Sequence, residues 1–94
     1  MEFFFLYILQ CSDSLFYVGH TDDIEKRLAQ HQAGSSIGFT FHRLPVKLVF
    51  LQSFQTRDEA FIAERKIKNW SRKKKEALIN GNWNELVPWS KKNA

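Results

Sequence analysis

Two apolar runs close together at the N-terminus leave few folds open to this chain. The first, Phe3 to Leu9, has no alternation with polar residues, which is typical of a strand covered on both faces. Residues 12–14 supply turn chemistry, and a second strand is predicted from Leu15 to Val18. Because so short a connection reverses the chain, the two strands are predicted to form an antiparallel hairpin. Gly19 is expected to end it, through a left-handed backbone or the close approach of another group.

A helix is predicted directly after the hairpin. Asp22 and Glu25 resemble a capping box at its start, and Gly34 is a candidate C-cap. Arg27 and His31 lie one turn apart on this helix. Their side chains are therefore expected to share one side of it.

The second half of the chain predicts one strand and two helices. The strand, 46–54, carries apolar residues on both faces and is therefore placed inside the sheet. A capping box of Thr56 and Glu59 begins a helix that extends to about residue 69. Ser71 caps a short last helix that ends near Gly81. Together the elements predict an α/β fold of the α+β kind with three strands.

The size of the chain fits one domain, since it has 94 residues. We assign residues 1–81 to that domain and expect the tail, 82–94, to pack on it through Trp83 and Trp89. The single cysteine, Cys11, excludes an internal disulfide and a zinc cluster. The N-terminal apolar run is too short for a membrane span and lacks the basic flank of a signal peptide, so a cytoplasmic location is the default expectation.

Positive charge is concentrated in one part of the sequence. The net charge is +4 and the isoelectric point about 9.4, a mild bias toward nucleic acid or another anionic partner. Half of the fourteen basic residues lie in a stretch that contains no acid. Charge on a solvated helical face is the ordinary explanation of such a run. The alternative is a surface that contacts the phosphate backbone of a nucleic acid, formed by Arg43, Arg65, Lys66, Lys68, Arg72, Lys73, Lys74 and Lys75.

One carboxylate lies in the apolar stripe of the second predicted helix. Ala60, Ala63, Glu64 and Ile67 recur at core-facing spacing, although carboxylates are seldom buried without a partner. Glu64 could be a metal ligand, and a single acidic ligand suits Mg²⁺, which keeps several waters and takes further oxygens from a substrate phosphate. A salt bridge to Arg27 or to a lysine explains the position equally well.

The two tyrosines of the chain, Tyr7 and Tyr17, lie on the two strands of the predicted hairpin. Tyrosines at such positions are usually core residues with a satisfied hydroxyl. To act as a general base, either would need its pKa lowered from about 10, and Arg27 and His31 are the candidate neighbouring cations. Taken alone, Arg27 would be a surface charge and His31 a solvated histidine that favours the helix dipole.

The order of these residues resembles the GIY-YIG nuclease superfamily, in particular its small single-domain bacterial branch, which is UPF0213-like. The resemblance extends from Phe3 to about Ile79, and the segment Gly38-Phe39-Thr40 also looks like the small branch. The matching positions are Phe5-Leu6-Tyr7 for the first motif, Tyr17-Val18-Gly19 for the second, Arg27 ten residues after Tyr17, His31 one helical turn later, and Glu64 for the metal-binding glutamate.

The resemblance implies a small mixed or antiparallel sheet of three strands flanked by helices. It also implies hydrolysis of a DNA phosphodiester with low sequence specificity and one divalent ion, Mg²⁺ or Mn²⁺. Glu64 would hold the ion, one tyrosine would activate or orient water, and Arg27 would stabilise charge on the phosphate. His31 would hydrogen-bond the site or shuttle a proton. The sequence leaves open which tyrosine is the base.

Two departures from the family pattern keep other functions open. Phe5 stands where the first motif has glycine, and His20 replaces the lysine or arginine that commonly follows the second motif. Both departures suit a non-catalytic nucleic-acid-binding or adaptor domain that retains the fold. The absence of a separate DNA-recognition domain suits a nuclease subunit that depends on a protein partner.

Overall fold

The computed structural model describes residues 3–34, 40 and 42–81. The elements in these ranges lie close to their predicted positions. They are β1 (Phe4–Gln10), β2 (Phe16–Thr21), α1 (Ile24–Gln32), β3 (Lys47–Phe54), α2 (Arg57–Lys68) and α3 (Arg72–Ile79). The tail, 82–94, and most of the segment Gly38-Phe39-Thr40 lie outside the described residues, so the division into domain and tail stays a prediction.

The three strands form one sheet in the order β2-β1-β3, and both pairings are antiparallel. The α+β prediction is confirmed, and the sheet is of the antiparallel type. The four central residues of β1 are at most 1% exposed: Leu6, Tyr7, Ile8 and Leu9. Because β1 is covered on both faces and paired at both edges, its sequence shows no polar alternation.

The position of β3 corrects the sequence prediction, since this strand lies at an edge and not inside the sheet. The pairing register shifts along it: Ile8 pairs with Phe50, but Leu9 pairs with Leu48, which leaves Val49 as an extra residue. Leu48 therefore packs on one side of the sheet and Phe50 on the other. The apolar residues on both faces reflect this bulge and do not require a neighbouring strand on each side.

Each face of the sheet has its own core. On one face α2 packs on all three strands and α3 packs mainly on β3, and the buried residues are Leu6, Ile8, Val18, Ala63, Ile67 and Leu78. The other face is covered by α1, and its residues are Tyr7, Leu9, Cys11 and Val46, with Tyr17, Ile24 and Leu28 packed against them. The two strands of the hairpin thus send alternate side chains to the α1 face and to the α2 face.

The start and end of α1 differ slightly from the prediction. Asp23 and not Asp22 is the N-cap, and its carboxylate accepts the backbone N–H of Lys26 at 3.1 Å. The helix begins later because β2 continues through Thr21. Gly34 follows the C-cap, and its φ of 72° is the left-handed conformation that glycine adopts readily.

The caps of the two later helices are confirmed. Thr56 and Glu59 exchange both hydrogen bonds of a capping box at the start of α2, and Ser71 caps α3. Gly81, just beyond α3, has a φ of 75°. All the helices in the described ranges are short, and none of them has the length and apolar character needed to cross a membrane.

Candidate active site

Gly19 lies opposite Tyr7 in the β1–β2 pairing. It is inside β2, which corrects the prediction that it ends the hairpin, and its backbone is not left-handed. A Cβ on Gly19 would lie 2.5 Å from the Tyr7 hydroxyl oxygen and 3.1 Å from a ring carbon of Tyr17. The first separation is shorter than nonbonded atoms tolerate. Of the two expected reasons for a glycine here, the close approach of another group is therefore the correct one.

The Tyr7 hydroxyl connects β1 to α1 through a chain of side-chain hydrogen bonds. Arg27 donates its Nε–H to the Tyr7 oxygen at 3.3 Å, and His31 Nε2 lies 3.2 Å from the same oxygen. On the far side of the ring, His31 Nδ1 lies 2.8 Å from the hydroxyl oxygen of Thr40. Tyr7, His31 and Thr40 are each at most 2% exposed. The four side chains thus form a continuous and largely dry network under α1.

The charges in this network are set mainly by burial. Burial raises the pKa of the Tyr7 hydroxyl, although the hydrogen bond from Arg27 opposes it. Burial, and then the charge of Arg27, lower the pKa of His31. Tyr7 is therefore a neutral phenol whose O–H can donate to Nε2 of a neutral His31, which in turn donates its Nδ1–H to Thr40. For Tyr7 the expected lowering of the pKa by neighbouring cations is wrong, because desolvation outweighs them.

Tyr17 occupies a more open position than Tyr7 on the same face of the sheet. Its ring is only partly buried, with its centre 6.2 Å from the Tyr7 ring and 5.2 Å from the His31 ring. The ammonium of Lys68, on α2, lies 6.0 Å from the centre of the Tyr17 ring. Hydrogen bonding to Tyr17, as well as to Tyr7, contributes to raising the pKa of Arg27. Tyr17 is therefore the tyrosine that meets solvent at the edge of this network.

Glu64 lies on the opposite face of the sheet, on α2, and is 8% exposed. Its Oε1 is 2.9 Å from Nδ1 of His20, the partner at the end of β2, and its Oε2 is 3.6 Å from Nζ of Lys68. Of the predicted ion-pair partners, a lysine is present and Arg27 is not. The ring of His20 also contacts the ring of Phe61, with their centres 5.6 Å apart. Sequence reasoning named His20 but did not place it against Glu64.

The two groups of side chains meet at the free edge of β2. Among the described strands β2 has a neighbour on one side only, so residues from both faces can approach its other edge. Lys68 contacts both groups, since it lies near the Tyr17 ring and near the Glu64 carboxylate. The charge of Glu64 is also among the influences that raise the pKa of Tyr7. Lys68 therefore links the two groups, which lie on opposite faces of the sheet.

A divalent cation fits the acidic part of this site. Glu64 is a nearly buried carboxylate, and its partners among the described residues are a ring nitrogen of His20 and the ammonium of Lys68. Within the described ranges, no group of three or more His, Cys, Asp or Glu side chains is close enough to hold a metal. A single carboxylate suits a hard ion such as Mg²⁺ or Mn²⁺, which would keep most of its waters.

The basic residues divide into a group near β2 and a group elsewhere. Arg72 stacks on Phe16, 4.6 Å from the ring centre, and donates to the Ser14 carbonyl at 2.7 Å. The guanidinium of Arg43 is paired with Asp13 of the hairpin turn at 2.9 Å. The remaining members of the run are Arg65 and Lys74, which lie over Phe61 and Trp70, exposed Lys66 and Lys73, and half-buried Lys75.

Two contributions to the site were missed from the sequence. Thr40 was named only as part of a family-like segment, yet it is buried and fixes the orientation of the His31 ring. Lys68 was considered only as a phosphate contact. Its spacing of four residues from Glu64 on one helix was an available signal that the two side chains are neighbours. Nothing local in the sequence indicates that a loop threonine contacts His31.

The fold and this arrangement of tyrosines, arginine, histidine and glutamate define a domain of the GIY-YIG type. Residues 3–77 match the family model of the GIY-YIG catalytic domain, and the chain belongs to this family. Membership supports a nuclease type of function in general and a nucleic acid as the kind of substrate.

Within that family, the chain is similar to UPF0213 proteins. It is 40% identical over 78 residues to a UPF0213 protein of Streptococcus pneumoniae, covering 83% of this chain and 79% of the relative. It is 40% identical over 77 residues to one of Haloquadratum walsbyi, covering 82% of this chain and 86% of the relative. Two solution NMR structures are 36% identical to it. They are the UPF0213 protein BH0048 of Bacillus halodurans, with a TM-score of 0.55 and 83% of each chain covered, and EF2693 of E. faecalis, with a TM-score of 0.59 and coverage of 86% of this chain and 90% of the other.

Proposed function

We propose that this protein hydrolyses phosphodiester bonds in DNA with the help of one Mg²⁺ or Mn²⁺ ion held by Glu64. The observation that carries the proposal is that Lys68 links a nearly buried carboxylate, Glu64, to Tyr17, which packs beside the Arg27–Tyr7–His31 network. The network supplies donors for a phosphate, and the carboxylate supplies the anionic ligand that the network lacks. Family membership supports the same class of reaction.

Arg27 is the group that binds the phosphate and stabilises the charge that develops on it. Its Nε–H is committed to Tyr7, and one terminal nitrogen donates to the Gln30 side chain at 3.2 Å. These bonds fix the plane of the guanidinium, while other N–H groups remain for phosphate oxygens. A donor that is already oriented stabilises developing charge without reorganisation during the reaction.

Tyr17 orients the attacking water, because it is the tyrosine that solvent reaches. Tyr7 is a positioning residue: its neutral hydroxyl holds Arg27 on one side and His31 on the other. His31 fixes the direction of the Tyr7 proton, and Thr40 fixes His31. A divalent ion at Glu64 would supply positive charge to a phosphate oxygen and to the leaving 3′ oxygen.

Binding is expected to depend on the phosphate backbone and not on base sequence. Lysines and arginines account for the surface beside β2, and backbone contacts carry little sequence information. With roughly six phosphate contacts, the logarithm of the affinity should fall with the logarithm of salt concentration with a slope of about −5. A salt-independent affinity would contradict this part of the proposal.

A second candidate function is a non-catalytic DNA-binding domain, or a subunit that needs a protein partner to cleave. It is favoured by the contacts of Glu64, whose two oxygens are matched by His20 and Lys68 without any metal. This candidate predicts DNA binding that does not depend on divalent ions and does not change when Glu64 is replaced.

The two candidates are separated by incubating duplex, single-stranded and branched DNA with the protein and Mg²⁺ or Mn²⁺, wild type beside Glu64→Ala. Metal-dependent cleavage that is lost in the variant, with DNA binding retained, supports the nuclease proposal. Equal cleavage by both proteins would exclude the role of Glu64. Binding without cleavage by either protein favours the second candidate.

A further inference from the structure

A row of contacts runs along β2 from the proposed site toward the hairpin turn. At one end, Glu64 meets His20 at 2.9 Å. One helical turn later, the Lys68 ammonium lies 6.0 Å from the centre of the Tyr17 ring. The C-terminal half of α2 therefore runs beside β2 in the opposite direction. Its basic side chains lie along the edge of β2, at increasing distance from the proposed site.

The row continues at the start of α3. Arg72 stacks on the ring of Phe16, and its guanidinium donates to the carbonyl of Ser14 in the hairpin turn. Its Nε also pairs with Glu76 at 3.5 Å, which neutralises part of its charge. These three contacts hold the guanidinium in one place, although Arg72 is on the surface.

A pocket of about 200 Å³ lies at this end of the row, lined by Leu15, Phe16, Arg72 and Lys75. Two of the four lining side chains are cationic and the other two are apolar. Lys75 is half-buried, and burial lowers the pKa of its ammonium. Among residues 3–34, 40 and 42–81, nothing forms an ion pair or a hydrogen bond with that ammonium. An anion in the pocket would replace the solvation that Lys75 has lost.

We propose that this pocket binds a backbone phosphate of the DNA strand that is cleaved at Glu64. The inference rests on the proposed function, since it assumes that the strand passes the site. The lysine and arginine would contact the phosphate, and the apolar wall of Leu15 and Phe16 would pack against the adjoining sugar. Phosphate binding by two cations beside an apolar wall gives no preference for base sequence.

The spacing along β2 sets the distance between the phosphate in the pocket and the phosphate at the bond that is cleaved. Phe16 and His20 are four residues apart on one strand face, which corresponds to about 14 Å at about 3.4 Å per residue. The rise of a B-form strand is about 3.4 Å per nucleotide along the helix axis, and successive phosphates are farther apart than the rise because they wind around the axis. The pocket would therefore hold the strand within about four nucleotides of the bond that is cleaved, and would fix its direction across the site.

The test measures binding of a labelled 20-base-pair duplex without metal, so that cleavage plays no part. Lys75→Gln is compared with Lys47→Gln, which removes the same charge from the exposed start of β3. We expect Lys75→Gln to weaken binding about tenfold and to reduce the magnitude of the salt slope by about 0.9, the value for one phosphate contact. Lys47→Gln should change affinity by less than about twofold, which is less than one phosphate contact contributes.

Equal affinities and salt slopes for the two variants would overturn the proposal. If Lys75→Gln does not fold, NMR titration of the wild-type protein decides the matter: resonances of Leu15 and Phe16 should shift on addition of the duplex, and unshifted resonances would overturn it. The two proposals fail separately. Wild-type cleavage with no effect of Lys75 leaves the nuclease and removes the pocket, whereas a Lys75 effect without cleavage leaves the pocket and removes the nuclease.

Discussion

The two faces of the sheet contribute to the site in different ways. On the α1 face, Tyr7, Arg27, His31 and Thr40 are joined by hydrogen bonds, and three of the four are almost fully buried. On the α2 face, the partners of the Glu64 carboxylate among the described residues are the side chains of His20 and Lys68, which are 22% and 50% exposed. The first group is largely closed off from solvent, whereas the partners in the second group reach solvent.

This difference suggests a division of labour. A buried network keeps its geometry because each partner would be left unsatisfied if it moved. Such a group suits the orientation of a phosphate and a water. In the proposed reaction the Glu64 carboxylate would exchange its partners for a cation, and Lys68 and His20 would turn toward solvent. The predictions below test whether the two faces differ in this way.

The largest effect is expected from Arg27. Arg27→Met retains much of the buried stem but removes the guanidinium, and we expect cleavage to slow by about 10² to 10³, the range for loss of one oriented donor to a developing charge. Lys26→Met, at the neighbouring exposed position on α1, is the matched control and should leave the rate unchanged. The measurement is the single-turnover cleavage rate. A similar rate for both variants would mean that Arg27 only supports the fold.

The next largest effects are expected from the two tyrosines, whose replacement should lower the cleavage rate by different amounts. Tyr17→Phe removes the hydroxyl that we propose orients the water and is expected to lower the cleavage rate by about 10², at the low end for loss of a group that acts on the water. Tyr7→Phe should lower it by about tenfold and reduce the free energy of unfolding by about 1 kcal/mol, because it leaves Arg27 and His31 without their shared partner. Single-turnover cleavage rates measure the first effect, and urea unfolding curves measure the free energy of unfolding. The reverse order of the rate effects would place the water at Tyr7.

Gly19→Ala tests the close contact between the two strands. The added methyl group would lie 2.5 Å from the Tyr7 hydroxyl, which is buried and cannot easily move aside. We expect a loss of about 1–3 kcal/mol in the free energy of unfolding, the range for overpacking. In a Tyr7→Leu background the same substitution should cost less, because the tyrosine ring is absent. Equal losses in the two backgrounds would show that the penalty comes from the backbone of β2.

The smallest effect concerns pH. Burial and Arg27 lower the pKa of His31 in the folded protein, and above pH of about 6.5 the histidine is neutral in both states. As pH falls below about 6.5, the unfolded chain takes up a proton that the folded chain does not, so stability should decrease until the folded pKa is reached. His31→Gln should make unfolding free energies at pH 7.5 and 5.5 more nearly equal than in wild type. If the unfolding free energies at pH 7.5 and 5.5 differ by as much in His31→Gln as in wild type, His31 is not the source of the difference.

The parts of the fold that could be predicted from the sequence are those set by short-range contacts. The capping box of Thr56 and Glu59 involves residues three apart, and the amphipathic pattern of α2 placed Glu64 in the buried stripe. Both signals depend on helix geometry alone. The order of Tyr7, Tyr17, Arg27, His31 and Glu64 also pointed to the family, which the comparison with known proteins confirms.

The parts that could not be predicted depend on register between distant segments. His20 meets Glu64 across 44 positions of sequence, and Thr40 meets His31 through a loop. The bulge opposite Ile8 and Leu9 shifts β3 by one residue, and no local signal in β3 indicates it. A shift of one residue exchanges the faces of a strand, so the edge position of β3 could not be derived from its apolar pattern.

The most direct test of the account is the metal dependence of single-turnover cleavage for wild type, Glu64→Gln and Glu25→Gln. Glu25 is an exposed carboxylate on α1, so its replacement controls for the loss of one negative charge. We predict that the wild type and Glu25→Gln show the same saturating dependence on Mg²⁺ or Mn²⁺, and that Glu64→Gln loses about 10² or more in rate, the scale of catalytic charge stabilisation, while its unfolding curve is retained. Glu64→Gln with the wild-type rate and metal dependence would contradict the account, because the carboxylate at the edge of β2 would then have no part in the reaction.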